Sequence, residues 1–227
     1  MLCSVPCPAL VAAAAFAVVV GGCASSEESP RLRADRRPLG TVGSGFIDPA
    51  APPPPESTIK PKPGSWAAIH PPRGYRVVLV TAGNDAATTT LVTGVTQWAK
   101  AEDVRLETVA VTDPYRYVDG IVEATDLTPD LVVCAGNALV DALALVTASN
   151  LQQQFLIVGA QLPEPTVNVT AAIWRGASSR GGEVPDTAAS FDADAFTPLR
   201  VGAAIRAGVA SVLSDIEDVR HQRDVDG

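Results

Sequence analysis

Few side chains in this 227-residue chain have the type and spacing to do chemistry. Cys23 is one. It follows Gly21 and Gly22 directly, where an apolar run gives way to Ala, Ser and Glu. A thiol flanked by small residues is a nucleophile on an extendable backbone, suited to capturing an electrophile on sulfur. Four cysteines also raise the question of a disulfide framework. Cys3, Cys7 and Cys23 all lie beside one apolar segment, however, and only Cys23 and Cys134 remain if that segment is removed. Cys134 sits inside the apolar run "DLVVCAG" and reads as an inert small core residue. The two histidines, His70 and His221, have no partner at metal-ligand or triad spacing, and no Gly-rich phosphate-binding sequence is present. The expectation is a non-enzymatic protein with no cofactor.

The remaining candidates are polar residues that follow apolar runs. "GNDAATTT" supplies Asn84, Asp85, Thr88, Thr89 and Thr90; "AGNALV" supplies Asn137; "GAQLPE" supplies Gln161 and Glu164. Asn and Asp can recognise the hydroxyls or base edges of a small polar solute, and Thr hydroxyls can add hydrogen bonds. The competing reading is that Asn84, Asp85 and Asn137 are helix caps, each worth about 1 kcal/mol.

The elements that would position these residues alternate. "YRVVLVTAG", "VRLETVAVTD", "PDLVVCAG" and "QQFLIVGA" read as strands, and "NVTAAIW" as a fifth. Between them Leu91, Val95 and Trp98 share one helical face, as do Val118, Ile121, Val122 and Thr125, and then Leu139, Leu143 and Val146. Alternation of this kind, with short connections, gives an α/β class: a doubly wound, mostly parallel five-stranded sheet. Gly176–Asp194 has few large apolar residues and is expected to be a mobile loop. A last helix starts near Thr197 or Pro198 and carries Val201, Ile205, Val209, Val212, Ile216 and Val219 on one stripe.

Ahead of the strands the composition changes. Residues 8–20 are apolar but too few for a bilayer span, which takes about 20, and they have the length of a signal-peptide core. Val20, Gly21, Gly22 and Cys23 then resemble the lipobox of bacterial lipoproteins, which implies removal of residues 1–22 and lipidation of Cys23. That resemblance places the chain on the outer side of the cytoplasmic membrane. Residues 1–7 depart from it in carrying no Lys or Arg. Residues 23–74, rich in Pro, Ser and Gly, read as a disordered tether, 75–222 as the folded lobe and 223–227 as a tail. "RLRADRRP" is open to two readings, a solvated charge run or a lipid-headgroup contact. Seven basic and five acidic residues fall in 24–75, against ten and twenty in 76–227. An acidic folded part argues against a nucleic-acid partner. Fourteen Arg to three Lys, with abundant Ala and Val, is the usage of a GC-rich, actinobacterial genome.

With its elements in this order, "GNDAATTTLVTGV", "PDLVVCAGNALVDALALV" and "QQFLIVGAQLPEPTVNVTAAIWRGA" resemble the N-terminal lobe of the type I periplasmic binding proteins. The likeness is to the basic-membrane-protein type, the substrate-binding lipoproteins of ABC importers, several of which bind nucleosides. It implies a small polar solute as ligand and an ABC permease as partner. It also implies a second lobe, which this stretch lacks, so a homodimer is one way to complete a cleft and the last helix is expected to cover its own sheet or another subunit. The rival reading is an envelope scaffold lipoprotein that has lost ligand binding and holds another envelope protein.

Overall fold

The computed structural model describes residues 37–48, 50–51, 53, 57–179 and 191–214. The expected signal segment (residues 1–22), Cys23, Ile216, Val219, His221 and the expected tail lie outside the described residues. Five strands form one all-parallel sheet: β1 (Arg76–Ala82), β2 (Arg105–Val111), β3 (Leu131–Ala135), β4 (Phe155–Val158) and β6 (Val169–Ala172), in the order β2-β1-β3-β4-β6. The doubly wound α/β expectation holds. The chain winds outward from β1 to β2, then crosses back to β3, so the winding reverses between β1 and β3.

Alternation along each strand splits the apolar side chains between two faces. Val77, Leu79, Val133 and Leu156 meet α1 (Ala86–Ala101) and α4 (Pro198–Ser214); Val78, Val80, Val132, Cys134 and Ile157 meet α2 (Tyr117–Asp126) and α3 (Val140–Ser149). Leu91, Val95 and Trp98 of α1 are buried as their spacing implies, and so are Leu139, Leu143 and Val146 at α3. Burial of each such side chain is worth about 1.5–3 kcal/mol. The stripe of α4 covers its own sheet: Val201, Ile205 and Val209 are buried in the cluster with α1. Close approach is made through Gly94, where an added Cβ would come within 2.6 Å of Val201.

Helix α2 corrects one expectation. Ile121 is fully buried, but Val118 and Val122 are exposed, and Gly120 and Ala124 take the inward positions. The edge strand is the cause: Val111 presses so close that a Cβ at Gly120 would stand 2.2 Å from it. Only a small residue fits, and the helix turns accordingly.

The loop and the fourth strand are also revised. Gly159, at φ +80, ends β4 and sets off a two-residue strand β5 (Ala160–Gln161), which pairs with β7 (Ser178–Ser179). With the 3-10 turn Ala193–Ala195, this gives structure to both ends of the stretch expected to be a loop. Residues 180–190, between them, lie outside the described residues. Asn168, at the start of the last paired segment, is 1 % exposed and donates to the carbonyls of Thr147, Asn150 and Gln153, tying the α3–β4 turn to β6.

The largest correction concerns the tether. Its described residues from Arg37 onward form a strap on the lobe. Leu39 and His70 exchange two backbone hydrogen bonds of 2.9 and 2.8 Å. Phe46 and Ile69 pack with Ala210 of α4, flanked by Val42, Ile47, Ile59, Trp66 and Leu213. His70 Nδ1 lies 2.8 Å from Glu102 at the end of α1, and Arg206 of α4 donates to the same carboxylate at 3.0 Å. Exposed ion pairs contribute little, so the apolar cluster carries most of the attachment. Scattered along a Pro-rich stretch with no regular period, these apolar residues gave no local sign of a shared contact.

Phe46→Ala should therefore destabilise the folded chain by about 3 kcal/mol, as for a buried aromatic residue. Urea unfolding midpoints compared with wild type measure this; a change within error would mean the strap is not held.

Candidate functional site

In an open parallel sheet the helix N-termini and connecting loops gather beyond the strand carboxyl ends, and ligands bind where the winding reverses. Here that point lies between β1 and β3, where Thr81 stands level with Ala135 and Ala135 with Val158. Gly136 and Gly159 follow β3 and β4 directly, at φ +85 and +80. Both are closely covered from α1. A Cβ on Gly136 would meet Thr88 Oγ1 at 3.4 Å and Leu91 at 3.7 Å; one on Gly159 would meet the Phe196 ring at 2.8 Å and Leu91 at 3.2 Å. The first turn of α1 thus lies across the ends of two neighbouring strands.

The sequence candidates divide in this frame. Asp85 is the N-cap of α1: its carboxylate accepts from the Thr88 backbone N–H at 3.0 Å and from the Thr88 hydroxyl at 2.6 Å. The Thr88 hydroxyl first, then the Thr88 N–H, hold the Asp85 carboxyl below its ordinary range. Thr88 is buried, and Asp85 already takes its hydroxyl proton. Thr89 and Thr90 donate to the carbonyls of Asn84 and Ala86. Asn84 and Asn137 are exposed, and among the described residues neither side chain makes a hydrogen bond. Asn137 is not a helix cap, because the N-cap of α3 is Leu139, without a side-chain bond. Gln161 is half-buried in β5, opposite Ser179, and Glu164 is exposed beyond it. The fold brings the first and third loops together through Thr88 and Gly136. Gln161 lies on the separate two-stranded β5–β7 sheet.

Three features escaped sequence reasoning. Phe196 packs edge-on against Trp174, with ring centroids 5.0 Å apart, and against Phe191 at 5.5 Å. Trp174 Nε1 and Thr81 Oγ1 are buried without a hydrogen-bond partner among the described residues. "AAIW" ends a strand run and could have flagged Trp174, whereas nothing local pointed to Phe196. Cys134 is fully buried, and burial pushes its thiol pKa well up, as an inert core residue requires. Among the described residues no group of three or more His, Cys, Asp or Glu is placed to hold a metal ion, and no helix is long and apolar enough to cross a membrane. A concavity of about 470 Å³ lies within the strap, lined by Phe46, Ile47, Ile59, Lys60 and Lys62 among others.

No protein-family model matches the chain, and no curated protein does. Solved structures similar to it include a fragment described as a lipoprotein of Peptoclostridium difficile 630, at 14% identity over 61% of this chain and 98% of that one, with TM-score 0.45. An ABC transporter solute-binding protein of Aeropyrum pernix K1 is similar at 17% identity and TM-score 0.41, over 45% of this chain and 29% of its own. The chain thus spans under a third of that protein. A 3-dehydroquinate dehydratase-like protein of Bifidobacterium longum is similar at 17% identity and TM-score 0.32, over 62% and 98%.

Two outcomes follow from the site. Thr81→Val removes a buried hydroxyl that has no partner and keeps the branched shape, so stability at pH 7 should be unchanged or higher, by about 1 kcal/mol at most; a clear loss in urea unfolding would show that the hydroxyl is satisfied. Asp85 has a lowered folded pKa. Its contribution is therefore present above its unfolded pKa of about 3.9 and lost as pH falls through the folded value. Asp85→Asn, still a good cap, should unfold like wild type at pH 7 yet show a shallower loss of stability below about pH 4. Identical acid limbs would remove Asp85 from that role.

Proposed function

We propose that this chain is an exported lipoprotein, anchored through Cys23 in the cytoplasmic membrane and facing outward, whose lobe binds a small polar solute without catalysing a reaction. The reading places it as a substrate-binding component of an ABC importer, or as an accessory to one, with a nucleoside or another small polar solute as ligand. The observation that carries it is the row of polar loops at the point where the winding reverses. Asn84 and Asn137 present amides that nothing among the described residues engages, on loops joined through Thr88 and Gly136. An amide both donates and accepts, which suits sugar hydroxyls and base edges. Support for the anchor comes from Val20, Gly21, Gly22 and Cys23 behind an apolar run of signal-core length. No reacting constellation accompanies these groups among the described residues, and the reading is of a binder with no cofactor.

A specific observation keeps the scaffold reading in view. Tyr115 is 97 % exposed, and Val118 and Val122 follow it on the outer side of α2, an apolar stripe that another envelope protein could cover. Solute binding separates the two. Calorimetry of the chain from residue 24 with nucleosides and sugars should give dissociation constants weaker than micromolar, since one lobe offers one wall of a cleft. Asn84→Ala and Asn137→Ala should abolish the heat while leaving stability within about 0.5 kcal/mol, as surface changes do. No heat at millimolar solute, with a specific envelope protein retained on a column, would favour the scaffold.

The anchor has its own test. Acyl chains add about 0.8 kcal/mol per buried CH₂, and stable anchoring takes more than one chain. Metabolic labelling with a fatty-acid probe should mark wild type and leave Cys23→Ala unmarked; equal signal from both would remove the anchor.

A further inference from the structure

Strand β2 is a free edge of the sheet: among the described residues it pairs with β1 and with no other strand. In a parallel ladder alternate residues turn both of their backbone groups to the same side. The Arg105 N–H donates to the Tyr75 carbonyl at 2.9 Å. Arg105, Glu107, Val109 and Val111 therefore turn their backbone groups to β1, and Leu106, Thr108 and Ala110 turn theirs outward.

Edge strands are ordinarily blunted by shortness, Pro, a bulge or Lys. None of these protects β2. Its seven residues keep an unbroken register with β1 and include no Pro, Gly or Lys, whereas the opposite edge, β6, has four residues. The outward backbone groups also belong to uncharged residues: Thr108 and Ala110 are exposed, and Leu106 is half-buried against the α1 side of the core. An open row of this length is a template for a further strand.

Charge decides which strand fits. Arg105 and Glu107 are exposed and, by alternation, share the α2 face of β2 with Val109 and Val111. Around them Glu102 is engaged by His70 and Arg206, Asp119 by Arg116 and Asp130 by the Arg76 N–H, while Lys100, Asp103, Glu123 and Asp126 are exposed. The balance is negative, so two copies attract where the Arg105 of each meets a carboxylate of the other. In antiparallel pairing, a two-fold axis at Thr108 puts both Arg105 and Glu107 opposite valines, and one at Glu107 puts that carboxylate against itself. An axis at Leu106 puts Arg105 opposite Glu107 on both sides.

We propose that β2 is a dimerisation edge: it pairs antiparallel with β2 of a second copy about Leu106, with the Arg105 of each copy bonded to the Glu107 of the other, and joins the two five-stranded sheets into one. Leu106 exchanges both backbone hydrogen bonds with its counterpart. Arg105 and Glu107 occupy positions whose backbone turns away from the copy, where facing residues of an antiparallel pair come closest, about 4.5 Å between Cα atoms. Because the copies run in opposite directions, their carboxyl-end loops lie at opposite ends of the joint sheet. Pairing thus closes no cleft and is independent of solute binding at Asn84 and Asn137.

Sedimentation equilibrium of the chain from residue 24, between about 5 and 500 μM, reads the association. A monomer and dimer in equilibrium are expected. Arg105→Glu and Glu107→Arg should each weaken the dimer by about tenfold or more, because each sets like charges directly opposite. An equimolar mixture of the two variants should dimerise as wild type does, since each then meets its opposite across the axis. Thr108→Pro removes an outward N–H, leaves the bonds to β1 in place and should be monomeric. Both reversed side chains are exposed, and circular dichroism with urea midpoints equal to wild type shows that the variants fold. Wild type that stays monomeric throughout, a dimer indifferent to both reversals, or a mixture no tighter than either variant alone would overturn the proposal.

Discussion

Every residue of β3 and β4 is buried, and that constraint organises the rest of the molecule. A parallel strand with no exposed side must be covered from both faces, and in a chain of this size the cover is two layers of helices. Val133 and Leu156 need α1 and α4 above them; Val132 and Ile157 need α2 and α3 below. Removing either layer would expose a row of aliphatic side chains, each worth about 1.5–3 kcal/mol of burial.

The same constraint locates the polar loops. With both faces of the sheet covered by helices, the connections that carry them lie at the ends of the strands. Apolar packing dictates where Leu91 sits, and Leu91 draws the first turn of α1 across Gly136 and Gly159. Asp85 and Thr88 then satisfy each other at the helix start, leaving the flanking Asn84 and Asn137 exposed to solvent. Capping thus accounts for Asp85 and not for Asn137, whose loop leads into a helix capped at Leu139.

The strap obeys the same logic from outside. Helix α4 covers the sheet with Val201, Ile205 and Val209, while Ala210 is buried with Phe46 and Ile69, and Leu213 packs against both clusters. A Pro-rich stretch with a few large apolar residues can cover such a surface without forming an element of its own. Its attachment at Leu39 and His70 makes the stretch ahead of the strands part of the lobe.

Sequence alone determined what depends on neighbours a few residues apart. Period-2 and period-3.6 patterns announced the strands, the buried faces of α1, α3 and the described part of α4, and the α/β class, because each apolar side chain signals its face through its spacing. The polar loops could be read too, since they follow runs that had to be strands. Tertiary structure decided what depends on distant residues. Val111 on an edge strand turned α2 so that Gly120 and Ala124 faced inward; Phe196 met Trp174 and Gly159 across more than twenty and more than thirty residues; Phe46 met Ala210 across more than 160. None of these contacts has a period, and side chains without a period carry no local record of what they will touch.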